Sequence, residues 1–143
     1  MPKLLRDPAR RAAAFRRIRE AHQTELAEDY VELIEDLIET HGEARLVDIA
    51  DYLGVSKSTA TQTVQRLQKQ GYVEARPYRS IFLTGAGRTL AAEARRRHEI
   101  LYDFLLAIGI DEATAFADSE GMEHHVSDQT LDALKRLTVR LAR

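Results

Sequence analysis

Apolar side chains recur along the first half of the chain at helical spacing. Leu26, Tyr30, Leu33, Ile34, Leu37 and Ile38 stand at i, i+4, i+7, i+8, i+11 and i+12, one face of an amphipathic helix. His41-Gly42 ends that helix, because glycine takes a left-handed cap without steric cost. Leu46, Ile49, Ala50 and Leu53 predict a second, short helix. Gly54-Val55 then makes a tight turn, and Ser56 is a suitable N-cap for a third helix with Ala60, Val64 and Leu67 facing inward. Past Gly71, the segments Tyr72 to Arg76 and Ser80 to Leu83 read as two strands of a hairpin around Pro77-Tyr78-Arg79. Thr84 caps a long helix from about Gly85 to Leu106, and Gly109 breaks it. Asp111 to His125 reads as a further helix, and Ser127 caps a last one carrying Leu131, Leu134, Leu137 and Leu141. The expected fold is mainly α with one small β-hairpin.

Composition narrows the chemistry. The 143 residues are 44% apolar and 31% charged, a globular balance, and contain no cysteine. Disulfides, thiolate zinc sites and cysteine nucleophiles are thereby excluded, so any metal is held by nitrogen and oxygen. The longest apolar run, Phe104 to Ile110 with its glycine counted, is far short of a bilayer span. No apolar stretch follows the N-terminal cations, so the start is not read as a signal peptide, and a cytoplasmic protein without membrane partners is expected. Net charge is −2, but residues 1–24 hold seven Lys/Arg against two acids, a net +5, which leaves −7 for the rest. A basic arm on an acidic body suits phosphate contact or, more blandly, a solvated tail.

Short helix, glycine turn, polar helix and two-stranded wing is the winged helix-turn-helix order. The outward face of the third helix offers Lys57, Ser58, Thr59, Thr61, Gln62, Gln65, Arg66 and Lys69, with no carboxylate between Lys57 and Gln70. Hydroxyls, amides and cations hydrogen-bond base edges and phosphates, whereas carboxylates are repelled by the DNA backbone. Arg76, Tyr78 and Arg79 at the wing add groups suited to phosphate or minor-groove contact. The same helix order also occurs in protein-interaction modules whose polar helix is merely solvated.

A second constellation lies near the end. On a helix, Glu120, Glu123 and His124 stand at i, i+3 and i+4 and share a face. Asp29 and Glu32 form an acidic pair on the first helix. His98 interrupts the apolar stripe Ala91, Ala94, Leu101 and Leu105, where an imidazole needs a partner. Four carboxylates and two imidazoles suit one or two borderline-hard divalent ions. Each feature alone is weak, since such a cluster is usually a solvated helix face. His22, His41 and His125 read as structural or surface residues.

The runs Glu28-Asp29-Tyr30-Val31-Glu32, Arg97-His98-Glu99-Ile100-Leu101 and Glu120-Gly121-Met122-Glu123-His124-His125 resemble the manganese-responsive regulators of the diphtheria toxin repressor (DtxR) family. The likeness runs from about Glu25 to Leu141, and the wing sequence Tyr78-Arg79-Ser80-Ile81-Phe82-Leu83-Thr84 fits it. It implies a homodimeric, metal-activated repressor of manganese uptake genes that binds a palindromic double-stranded operator. A winged helix-turn-helix domain (25–90, after the arm 1–24) would be joined to a helical metal-binding and dimerisation domain (91–143). Matched by motif, the metal ligands would be Asp29, Glu32, His98, Glu120, Glu123 and His124, holding two Mn2+ per subunit with Glu123 bridging. Iron-type relatives carry methionine and cysteine at the positions of Asp29 and Glu120, so the two carboxylates here favour manganese. Fe2+, Co2+, Cd2+ and Zn2+ remain expected ligands in vitro. The chain also stops where an SH3-like third domain would follow in iron-type members. Two alternatives stand beside this reading: a winged helix regulator sensing a small organic ligand, and a small metallohydrolase with an open water position.

Overall fold

The computed structural model describes residues 7–76 and 79–143, so Lys3 and Arg6 of the basic arm and Pro77 and Tyr78 of the expected turn lie outside the described residues. In chain order it contains α1 (Pro8–His41), α2 (Leu46–Leu53), α3 (Lys57–Lys69), β1 (Val73–Glu74), β2 (Phe82–Leu83), α4 (Gly85–Ala107), α5 (Glu112–Met122), a 3-10 turn (Glu123–His125) and α6 (Asp128–Leu141). Helices with a small antiparallel hairpin are the expected class.

The first helix begins well ahead of the apolar stripe at Leu26. Asp7 Oδ1 accepts the Ala9 N–H at 3.0 Å, and Pro8 occupies the first helical position, where its missing N–H costs nothing. Alanines at 12–14 then propagate the helix. No stripe marks this stretch because it buries little: Phe15 and Ile18 are 51% and 49% exposed.

The described chain divides into two compact units, Ala27–Arg96 and the described part of Met1–Leu26 with Arg97–Arg143. Both divisions fall inside helices, α1 and α4. In the first unit, Tyr30, Val31 and Ile34 of α1, Ile49 of α2, and Ala60 and Leu67 of α3 form a continuous core with Val73 and Ile81 of the wing. Burying each of the larger aliphatic side chains contributes about 1.5–3 kcal/mol. Thr63 is also buried, on the same side of α3 as Ala60 and Leu67.

The wing strands are shorter than the sequence suggests. Among the described residues only Val73↔Leu83 and Glu74↔Phe82 pair as a ladder. The flanking backbone groups find other partners: Ile81 N–H donates to Ala44 O at 2.8 Å, and Gln68 Nε2 donates to Ala75 O at 3.1 Å. Thr84 locks the hairpin to α4 by donating its hydroxyl to Gly71 O (2.6 Å) and its N–H to Tyr72 O (3.0 Å). Its oxygen also accepts the Gly87 N–H, as an N-cap should.

In the second unit Ile100, Leu101 and Leu131 form a small core flanked by Val126 and Leu134. Asp111 caps α5 by accepting the Thr114 N–H at 3.1 Å. The expected helix Asp111 to His125 does not remain α-helical throughout. It tightens into the 3-10 turn at Glu123–His125, and the backbone becomes extended at Val126, which packs on this core.

Candidate metal centre and nucleic-acid face

The tightening of the chain after Met122 changes how the acidic cluster is built. Glu120 lies on the last turn of α5, while Glu123 and His124 lie on the 3-10 turn rather than on a regular α-helix. Winding of three residues per turn stacks i over i+3, which keeps Glu120 and Glu123 neighbours. His98 on α4 meets both. Its Nδ1 is 3.3 Å from Glu120 Oε1 and 3.8 Å from Glu123 Oε2. Glu123 is wholly buried, and its other oxygen is 3.5 Å from His124 Nε2, on a side chain almost as buried.

Packing fixes the His98 ring. It stacks on Tyr102 (centroids 6.1 Å apart, 12° between planes) and takes the edge of Phe116 at 5.2 Å. Ser119 Oγ lies 3.3 Å from Nδ1 while its hydroxyl contacts Phe116 O at 3.0 Å. A carboxylate removed from water needs strong compensation, and the imidazole nitrogens of His124 and His98, at 3.5 and 3.8 Å from Glu123, stand beyond ordinary hydrogen-bond length. One donor atom from each of His98, Glu120 and Glu123 lies within 4.8 Å of the others. Oxygen and imidazole donors at this separation fit a divalent cation of the borderline-hard kind.

Asp29 and Glu32 stand three residues apart on α1, in the Ala27–Arg96 unit, both half-buried. Glu28 beside them, not among the expected ligands, is buried at 7% exposure. Its signal was position alone: it precedes the apolar Tyr30-Val31 pair on the same inward side. His125, expected as a structural or surface residue, lies near a carboxylate: its Nε2 is 3.6 Å from Glu25 Oε2.

The polar face of α3 is presented as its sequence pattern predicts. Lys57, Ser58, Thr59, Gln62, Gln65, Arg66 and Lys69 are exposed, and Thr61 is half-buried. Ser56 Oγ accepts the Thr59 N–H at 3.0 Å, which fixes the start of the helix. Two hydroxyls have local partners: Ser56 donates to Thr59 Oγ1 (2.9 Å), and Thr61 donates to Lys57 O (2.8 Å). An open groove runs between α3 and the wing, lined among others by Lys57, Thr61, Gln65, Arg76 and Arg79. Arg45 and Gln68 also line it, and neither stood out in the sequence. Glu43, an acid in the same groove, is paired with Arg45 Nε at 2.8 Å, so its charge is partly neutralised. Tyr78 of the expected face lies outside the described residues.

Residues 22–81 match the family described as "Iron dependent repressor, N-terminal DNA binding domain", and residues 84–142 match "Iron dependent repressor, metal binding and dimerisation domain". The chain belongs to the iron-dependent repressor family. It is 52% identical over 124 residues to the transcriptional regulator MntR of Escherichia coli, an overlap covering 87% of this chain and 80% of that protein. It is 43% identical over 107 residues to the HTH-type transcriptional regulator MntR of Bacillus subtilis, covering 75% of each. Among solved structures, a "Manganese-dependent transcriptional repressor complex with manganese" superposes with a TM-score of 0.72 at 30% identity. That overlap takes in 79% of this chain and 52% of that one, so the chain spans about half the length of this relative.

The groove between α3 and the wing lies in the DNA-binding match, and His98, Glu120, Glu123 and His124 lie in the metal-binding and dimerisation match. The protein is a DNA-binding transcriptional regulator and not an enzyme, which sets aside the metallohydrolase alternative. Among the described residues no helix is long and apolar enough to cross a membrane.

Proposed function

We propose that the protein is a cytoplasmic, manganese-responsive repressor of manganese uptake genes. As a homodimer it would bind a palindromic double-stranded operator. The observation that carries this reading is the convergence of His98 on Glu120 and on the buried Glu123. Asp29, Glu32, His98, Glu120, Glu123 and His124 would hold the metal, expected as two Mn2+ per subunit. Oxygen donors dominate that set, which favours Mn2+, although Fe2+, Co2+, Cd2+ and Zn2+ would bind in vitro.

Bound cations would supply positive charge beside the Glu120 and Glu123 carboxylates, which otherwise repel each other. Asp29 and Glu32 belong to the helix that opens the DNA-binding half, whereas Glu120, Glu123 and His124 belong to the dimerisation half. Metal-loaded and metal-free states would differ in how well paired α3 helices match successive major grooves, one DNA turn or roughly 34–36 Å apart. Lys57, Ser58, Thr59, Thr61, Gln62, Gln65, Arg66 and Lys69 would then face the major groove, and Arg76, Tyr78 and Arg79 the flanking backbone. Effector action follows from tighter ion binding to the DNA-competent arrangement. Dimerisation is supported by apolar side chains left exposed in the C-terminal unit, including Phe116, Leu137, Val139 and Leu141.

The test is operator binding by gel shift or fluorescence anisotropy with Mn2+ and with chelator. Mn2+ is expected to tighten binding at least tenfold, and His98→Ala is expected to remove that response while leaving a folded dimer. Operator affinity indifferent to both additions overturns the proposal.

A further inference from the structure

We infer that His22, Glu25 and His125 form a second cation site, of two-imidazole, one-carboxylate type, selective for Zn2+ or a similar borderline divalent ion. His22 and Glu25 are one turn apart on α1, so their side chains adjoin. His125 closes the 3-10 turn after α5. Both rings address the same oxygen: His22 Nδ1 is 2.8 Å and His125 Nε2 is 3.6 Å from Glu25 Oε2. The ring centroids are 5.9 Å apart and tilted by 48°. Donors at about 2.0–2.2 Å from a tetrahedral zinc ion are separated by roughly 3.3 Å. The two observed spacings bracket that value, and one donor atom from each residue lies within 4.8 Å of the others.

The donor chemistry differs from that of the cluster around Glu123. Imidazoles outnumber carboxylates here, which shifts preference from Mn2+ toward Zn2+, Ni2+ or Cu2+. His22 is 76% exposed in its side chain, so water would complete the coordination shell. A plain surface ion pair is the competing use of the same geometry. It needs only one imidazole, and an exposed pair contributes little; two rings on one carboxylate oxygen are better explained by a shared cation. Occupancy would pin the basic first half of α1 to the turn that also carries His124, within one compact unit. That gives the N-terminal segment an anchoring role that its charge alone does not suggest.

This site is independent of the manganese reading, and the experiment separates the two. Zn2+ alone is titrated into the metal-free full chain carrying His98→Ala and Glu123→Gln, which removes two of the six ligands proposed for manganese. One Zn2+ per chain is expected to remain by equilibrium dialysis, and adding His125→Ala or His22→Ala is expected to weaken it at least tenfold. Unchanged zinc binding after those additions overturns the inference. Should the cluster variant fail to fold, imidazole resonances of the wild-type chain are followed by NMR during the same titration. Perturbation of both His22 and His125 is expected, and silence at either ring overturns the proposal.

Discussion

Gly87→Ala tests how the wing is held against the rest of the DNA-binding half. A Cβ at this position would lie 2.1 Å from Tyr72 O and 3.3 Å from Leu83 Cδ2. The near neighbour is a backbone carbonyl, already accepting the Thr84 N–H at 3.0 Å, and it cannot swing aside as a side-chain tip would. Forcing one extra carbon into a packed site costs about 1–3 kcal/mol. Weakening the Thr84 hydrogen bond costs about 1 kcal/mol more. Replacing glycine by alanine inside a helix returns about 0.5–1 kcal/mol, so it cancels the hydrogen-bond loss and leaves the overpacking cost. The clash therefore wins, with a net destabilisation of about 3 kcal/mol because backbone must move. Urea unfolding should show a lower midpoint at unchanged slope, and operator affinity should fall as the wing arginines shift. Gly121→Ala is the control: nothing lies within 4 Å of its added Cβ on α5, so stability should hold or rise by up to about 1 kcal/mol. If Gly87→Ala proved as stable as Gly121→Ala, the close approach of α4 to the wing would be refuted.

Other outcomes follow from single contacts. Arg66→Ala or Arg79→Ala should weaken operator binding and flatten its salt dependence by about one unit of slope, with metal affinity unchanged by calorimetry; joint loss of both contradicts separate sites. The Thr114 N–H bonded to Asp111 holds that carboxyl below its ordinary value. Its contribution is thus complete above about pH 4 and disappears as acidification protonates the folded form, so Asp111→Asn should flatten the acid limb of a thermal-melt series. Burial opposes charge on Arg95, yet Asp36 (2.6 Å), Glu35 (3.1 Å) and Glu39 (3.7 Å) outweigh it and raise its pKa. Arg95→Met should cost about 1 kcal/mol or less at low salt and nothing measurable at high salt, read from urea midpoints.

Local signals determined much of this protein. The stripe from Leu26 to Ile38 and the Ser56 cap specify helices through short-range periodicity, and the acid-free run on α3 marks the surface we propose for DNA. A chain with these patterns has few ways to bury its apolar side, so the helix order was legible from residues close together. What had no such signature was settled by packing. The wing's short ladder depends on Ala44, distant in sequence, accepting from Ile81. The helix beginning at Pro8 rests on a cap and helix-forming alanines rather than on a stripe. Ligand types could be read one residue at a time, but the 3-10 turn that stacks Glu123 near His98, and brings His125 to Glu25, could not. Distances between groups far apart along the chain depend on how the intervening elements pack, and no local pattern encodes them.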